Sequence, residues 1–499
     1  MTNDIYNKIY SSPKVVFIEE TGKNLEFILK DKIKYIFKAG MDLLIGVSKA
    51  NFYEVLKELK ENPELEVSSF QSIAAYKSGK KNFLIINLKS PVNNFSILLK
   101  IEISQREIEK DCTEIVDIME KFYKAVKFYK YRSKIISENS DIKIFAQSLD
   151  GLDCFDLDIH TEGDVVKEAY VDTGIARVVG DNYYKDLEIY NLIAYISRFD
   201  WKSGIFPEVC LCSAFEELLQ LKVPERAQYI RMLLCELYRI SNHAYFISNI
   251  CNVLQHDIAY NLSLLERERV LRIIEAITGS RIVPNFIRIG GVKKDISEEI
   301  VINIRKNLSV LLKNIRRIER IIMNDSLAVE RLRNIGIIEK ESALEYGVSG
   351  PNLRASGIRY DLRKDKDPIL YKDFSFTVPI GKTGDCLDRI LIRFNEIFQS
   401  LRIISQIINK FPSGAFIKKI NLSHLEFQSG AVSCGIECPH GLFKIYIEVE
   451  KSNINSLVVK GPSINSLILS EEILKENRIE DIDLILLSLD ISPGEIMNA

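Results

Sequence analysis

The stretch Val223-Pro224-Glu225-Arg226-Ala227-Gln228-Tyr229-Ile230-Arg231 opens the clearest helix in this chain. Proline stands in the first turn, where its missing N–H costs nothing, because the leading amides of a helix have no intrahelical acceptor. Beyond it, Ile230, Leu233, Leu234, Leu237, Ile240 and Ala244 recur at the three-and-four spacing that lines one helical face. A second long helix is expected over Asp295–Met323, where Arg and Lys are mixed with Ile, Leu and Val at similar spacing. These two place a helical body between about Asp181 and Asn334, and a further helix is expected at Asp385–Asn409. A bundle core accounts for all of this without any function.

Both flanks of the body read differently. Short strands are expected at Ile142–Gln147, Phe155–His160 and Val165–Val171, then near Leu442–Val449 and Leu484–Leu489. Towards the N-terminus, apolar runs at Asp42–Ser48, Asn82–Leu88 and Phe95–Ile103 read as strands. Between the first two, Ala50–Glu61 carries Phe52, Val55, Leu56 and Leu59 at helical spacing. Ser78-Gly79-Lys80-Lys81 is a turn signal before the second strand. The charged, partly aromatic segment Arg106–Lys134 reads as a helical linker. The expected fold class is α+β. A small α/β domain occupies residues 1–105, a linker 106–140, and a helical bundle with small sheets at its ends 141–499.

Composition narrows the function classes. The 67 basic and 69 acidic residues leave a net charge of -2, which gives no basic stripe for nucleic acid and no polybasic membrane anchor. No apolar run approaches the roughly 20 residues that span a bilayer. The acidic opening residues Asp4, Glu19 and Glu20 do not read as a targeting peptide. Nine scattered cysteines and five histidines form no disulfide framework or metal knuckle; Cys210 and Cys212 have a single residue between them. Buried thiols acting as small hydrophobes are expected, with no metal site.

Several strings carry a more specific signal. The Val223–Arg231 stretch resembles the D subunit of respiratory complex I, which is related to the large subunit of nickel–iron hydrogenases. Arg281 with Gly290-Gly291-Val292, and Tyr346-Gly347-Val348-Ser349-Gly350-Pro351, continue the likeness. The most diagnostic string is Leu353-Arg354-Ala355-Ser356-Gly357-Ile358-Arg359-Tyr360-Asp361-Leu362-Arg363-Lys364. Gly384-Asp385-Cys386-Leu387-Asp388-Arg389 and Ser400-Leu401-Arg402-Ile403-Ile404 follow in the family's order. The resemblance runs from about Ile142 to Glu495, and the N-terminal unit sits where a fused C subunit would. The acidic-basic motif that closes the C family is replaced over Phe122–Tyr131 by Phe-Tyr-Lys-Ala-Val-Lys-Phe-Tyr-Lys-Tyr. Hydrogenases of this lineage hold their metals with two cysteine pairs, because thiolates are soft ligands. Here Asp490-Ile491-Ser492-Pro493-Gly494-Glu495 has no cysteine after Cys438, so hydrogenase chemistry is not expected.

The resemblance implies a peripheral-arm C/D subunit of an NADH:quinone oxidoreductase on the cytoplasmic side of a bacterial inner membrane. It would pack on a B subunit that owns the nearest iron–sulfur cluster, near membrane-arm subunits, with quinone between the two and no cofactor of its own. Quinone reduction needs hydrogen-bonding and proton-donating groups, and the positions that match them are altered. Tryptophan replaces the quinone-facing tyrosine in Arg198-Phe199-Asp200-Trp201; indole donates one hydrogen bond but supplies no phenolic proton. Leu152 falls at the family's loop histidine, Val253 at the aspartate that orients it, and Val283 at a further histidine near the cluster. The cluster-shielding segment is replaced around Arg177-Val178-Val179. His256 and Asp257 are either a displaced polar pair or an exposed helix end. Arg354, Asp361, Asp385 and Arg389 either line the chamber or fix the fold as buried ion pairs, and Arg198 is the candidate for tuning the cluster. Trp201 is expected in a cavity facing the partner. The alternatives are a structural subunit without a working site, or one serving a different electron acceptor.

Overall fold

A computed structural model of the chain describes residues 18–497 apart from 79–80, 92, 94, 104–107, 124–141, 148–152, 173–186, 366–367, 419, 421–428 and 451–452. The first unit runs α1 (Ile18–Leu29), β1 (Ile33–Ala39), β2 (Asp42–Val47), α2 (Phe52–Glu61), β3 (Ser69–Ser78), β4 (Lys81–Ser90), β5 (Phe95–Ile103) and α3 (Ile108–Glu120). Its sheet has the order β1-β2-β5-β4-β3, with β2 and β5 parallel and the other pairs antiparallel. Helix α2 buries Phe52, Val55, Leu56 and Leu59, the face that the sequence marks. Ser78 pairs with Lys81, so the expected turn closes a hairpin, although Gly79 and Lys80 lie outside the described residues. The segment read as a linker behaves differently: Ile115, Val116 and Met119 of α3, and Tyr123 after it, pack into the core of this unit. The Tyr123 hydroxyl donates to the Val67 carbonyl at 2.8 Å. The exposed Glu114 and Asp117 make this amphipathic helix look like a solvated connector in the sequence.

The second part starts with the antiparallel sheet β6 (Ile142–Gln147), β7 (Asp153–Glu162) and β8 (Val165–Asp172). The body follows: α4 (Ile189–Ile196), a 3-10 turn at Ser197–Asp200, α5 (Ile205–Leu218), α6 (Glu225–Val253) and α7 (Asp257–Thr278). The short hairpin β9 (Ile287–Arg288) and β10 (Gly291–Val292) leads into α8 (Glu298–Asn324), α9 (Ser326–Leu332), α10 (Lys340–Glu345), α11 (Gly350–Ala355) and α12 (Cys386–Asn409). The chain closes with an antiparallel sheet, β11 (Gly430–Cys438), β12 (Gly441–Glu450) and β13 (Asn453–Lys460), then α13 (Ser463–Ile473), α14 (Ile482–Ser488) and α15 (Pro493–Met497). The α+β class stands.

One expectation changes here. Leu484–Leu489 is not a strand: α14 buries Ile482, Leu484 and Ile485, and a short apolar run does not distinguish the two states by periodicity. Helix α6 buries more than the face that the sequence marks. It buries the predicted apolar face and also Arg231, Glu236, Arg239, Asn242 and His243, so it is enclosed on every side. Helix α8 does keep the two-faced pattern, with Ile304, Leu311, Ile315, Ile318 and Ile322 inward and the Ser297 hydroxyl capping the Ile300 amide.

The N-terminal sheet docks on β11–β13. Ala39, Leu44, Ile85, Leu98 and Tyr446 form a small apolar cluster between them. The Met41 amide donates to the Ser433 carbonyl at 3.0 Å, and Asp42 accepts from Lys444 at 2.8 Å and from the Ser433 hydroxyl. Lys100 reaches Glu448 at 2.9 Å. Gly40 makes the approach possible: its φ is +63°, and a Cβ there would fall 2.1 Å from the Ser433 carbonyl oxygen.

Candidate functional site

Charged residues inside α6 and α12 converge with loops from both ends of the body. From α6 come Glu236, Arg239 and His243, and from α12 Arg393, Glu396 and Ser400, all buried. Helix α11 supplies Arg354 and the segment after it Asp361 and Arg363, while the β11–β12 hairpin supplies Glu437, Cys438 and His440. Gly350 at the start of α11 has φ +68° and lies against Gly441, where a Cβ would fall 2.4 Å from the Gly441 Cα, so the helix can seat on the hairpin.

Arg354 is the hub. Its Nε and Nη2 donate to Glu396 at 2.9 and 2.7 Å, and its Nη1 donates to Glu437 at 2.7 Å and to the Tyr360 carbonyl at 3.0 Å. Burial alone would raise Glu396, but Arg354 and His243 outweigh it and hold that carboxyl well below its usual range. Burial lowers His243 to about 4 despite Glu396 at 3.0 Å, so at neutral pH a neutral imidazole donates to that carboxylate. Arg363 forks onto Asp361 at 2.7 and 3.0 Å, and Glu236 accepts from the Tyr371 and Ser400 hydroxyls. Such a network fixes the relative position of four chain segments, because removing one partner strands another buried charge.

The network continues to a second corner beneath the 3-10 turn. Arg393 lies 3.7 Å from Asp490, which is 3.2 Å from His440 Nδ1, while His440 Nε2 is 3.4 Å from Asp200. Burial opposes a charged His440, but Asp490 and Asp200 win and push its pKa well up, so an imidazolium sits between two carboxylates. Asp200 also accepts from the Ser492 hydroxyl at 3.2 Å. Glu495 accepts from the Ser463 amide at 2.9 Å, and burial followed by Asp200 raises it to about 7. Carboxylate oxygens of Asp200 and Glu495 and the Cys438 sulfur lie within 4.8 Å of one another, all buried. Asp200 Oδ2, Glu495 Oε1, Trp201 Nε1 and Ser203 Oγ are buried without a hydrogen-bond partner.

The residues marked by the sequence are thus dispersed. Trp201 is half-buried; its indole nitrogen is sealed against Gly494, where a Cβ would fall 2.8 Å away. Asp200 is wholly buried beside it, whereas Arg198 is exposed and donates to the Ala194 carbonyl. Arg354 and Asp361 belong to the ion network. Asp385 and Arg389 do not form an ion pair with each other. Asp385 caps α12 by accepting from the Asp388 amide at 2.8 Å and also takes the Asn334 amide. Arg389 ties the carbonyls of Gly336 and Gly384 at 2.8 and 2.7 Å. Val253 ends α6 and packs partly on the core, and Val283 is half-buried in the loop after α7. His256 lies at the start of α7, 3.9 Å from Asp325, and Asp257 is exposed in its first turn. Leu152 and Arg177–Val179 lie outside the described residues. Sequence reasoning misses Glu236, His243, Glu396, Glu437, His440 and Glu495. The available signal is the set of ionisable residues interrupting the apolar faces of α6 and α12.

The chain is thus a helical body between small sheets with a buried ion network, and among the described residues no helix is long and apolar enough to cross a membrane. A chain of this kind is known: in the membrane-bound sulfane sulfur reductase, an archaeal respiratory membrane complex, one chain aligns with a TM-score of 0.69 and 29% identity. That alignment covers 73% of the present chain and 100% of the other. Residues 259–426 match the family described as respiratory-chain NADH dehydrogenase, 49 Kd subunit. The D subunit of the NADH-quinone oxidoreductase of Clostridium beijerinckii is 34% identical over 328 residues, covering 66% of this chain and 87% of that protein. Its counterpart in Bacillus mycoides is 30% identical over 345 residues, covering 68% and 94%. The chain belongs to the D-subunit family of the NADH-quinone oxidoreductases.

Proposed function

We propose that this chain is a peripheral-arm subunit of a complex I-type oxidoreductase, combining a D-type body with an N-terminal C-type unit. That unit extends through α3, because Ile115, Met119 and Tyr123 complete its core. The surface bearing Arg198 and the 3-10 turn packs on a partner that carries an iron–sulfur cluster, on the cytoplasmic side of the inner membrane. Quinone enters between the two, at a site whose usual proton donors are replaced. The observation that carries this reading is the state of Trp201: where the family resemblance expects a phenol, there is a half-buried indole whose N–H has no acceptor. An exposed Arg198 within three residues of it supplies a positive charge able to favour a reduced, more anionic cluster.

A second reading is favoured by the structural neighbour, which comes from a complex titled a sulfane sulfur reductase: the acceptor is then not quinone but a sulfur compound. The two separate in one experiment. The intact complex, purified in mild detergent through this subunit, is assayed for electron transfer to a short-chain quinone with and without a quinone-site inhibitor. The same preparation is assayed with polysulfide. Inhibitor-sensitive quinone turnover is expected. An intact complex with reducible clusters that turns over polysulfide alone moves the assignment to the second reading; turnover of neither acceptor leaves a structural role.

A further inference from the structure

Three chain segments far apart in sequence bring an unusual donor set together. Asp200 comes from the 3-10 turn, Cys438 from the end of β11, and Glu495 from α15. One ligand atom from each lies within 4.8 Å of the other two, and all three side chains are at most 2% exposed. We infer that Asp200, Cys438 and Glu495 form a binding site for a single divalent cation of the zinc class.

The chemistry of the donors selects that class. One thiolate and two carboxylates make a mixed sulfur–oxygen shell, which suits a borderline ion such as Zn²⁺ rather than Mg²⁺ or Ca²⁺. A tetrahedral zinc with oxygens at about 2.1 Å and sulfur at about 2.3 Å sets its ligand atoms roughly 3.4–3.8 Å apart, so side-chain shifts of about an ångström close this shell. Three further features support an ion here, independently of the acidic groups' proximity. Cys438 ends a strand at a two-residue turn, and the His440 amide donates back to its sulfur, fixing the side chain's direction. Glu495 is held by the Ser463 amide on one oxygen while its other oxygen is buried without a hydrogen-bond partner, and Asp200 takes the Ser492 hydroxyl on one oxygen and faces His440 Nε2 at 3.4 Å with the other. Ser203 Oγ, fully buried in the turn after Asp200, is also without a partner. Unsatisfied buried polar atoms are costly, and a cation absorbs that cost. The site does not depend on which acceptor the complex uses.

The test uses the full chain in its complex, stripped with a chelator under reducing conditions and titrated with Zn²⁺ and then Co²⁺. Expected are one equivalent bound per chain by mass spectrometry and a near-ultraviolet thiolate-to-cobalt charge-transfer band. Cys438→Ser should abolish the band, and Glu495→Gln should weaken binding by at least roughly tenfold. Cys251→Ser, which changes a buried thiol of α6, should leave both unchanged. If the Cys438 and Glu495 variants assemble poorly, Asp200→Asn is titrated in their place, with the cation-induced rise in melting temperature as second readout. Absence of stoichiometric binding, or a charge-transfer band that survives Cys438→Ser, overturns the site.

Discussion

Around Arg354, each guanidinium nitrogen has an acceptor, and Glu396 and Glu437 accept in return. Around Asp200, beside the turn of the same hairpin, Trp201, Ser203 and Glu495 each leave a buried polar atom without a hydrogen-bond partner. Both regions are dry and charged, so burial alone does not distinguish them. Completeness does. A satisfied network resists change and holds the body together, while an unsatisfied one stores free energy that a ligand, ion or substrate can release. The first region is scaffold, and the second is where chemistry is to be sought.

The largest effect should come from breaking the satisfied side. Arg354→Met strands Glu396 and Glu437 in the core and is expected to destabilise the fold by about 3–5 kcal/mol in denaturant unfolding. A loss below about 1 kcal/mol would show that the network is dispensable and remove the contrast. A pH titration of stability should give a somewhat smaller effect. His243 is lowered by burial to about 4 from an ordinary 6.5, so the unfolded chain binds the extra proton between those values. Its contribution is therefore complete above pH 6.5 and lost as pH falls towards 4, by up to roughly 3 kcal/mol. His243→Asn should flatten that limb of the profile; an unchanged slope would assign it to other groups. Trp201→Phe removes an indole N–H that has no acceptor, and stability is expected to move by less than about 0.5 kcal/mol. A loss above about 1 kcal/mol would reveal a hidden partner and make the corner as satisfied as the hub. Trp201→Tyr alone should not create quinone turnover, because Leu152, Val253 and Val283 remain apolar; robust inhibitor-sensitive activity from that single change would show that the phenol was the missing element.

How much is legible in the sequence varies with the kind of signal. The helix from Glu225 and the strand Phe95–Ile103 follow from periodicity, because each presents a regular apolar pattern to one core. Leu484–Leu489 defeats the same reasoning because a short buried run satisfies helix and strand equally. Arg389, expected either to line the chamber or to join a buried ion pair, clamps two carbonyls, a role that depends on where loops pass rather than on the residue's own neighbours.

Local strings and their order were enough to mark the family and the α+β class, since each of these resides in short runs of residues. Which charges meet is a matter of packing. Asp200, Cys438 and Glu495 come from separate stretches of the chain, and no spacing rule connects them. Their proximity depends on a turn, a hairpin and a C-terminal helix packing against one another in a core where water is excluded, and that exclusion gives their unpartnered atoms chemical consequence.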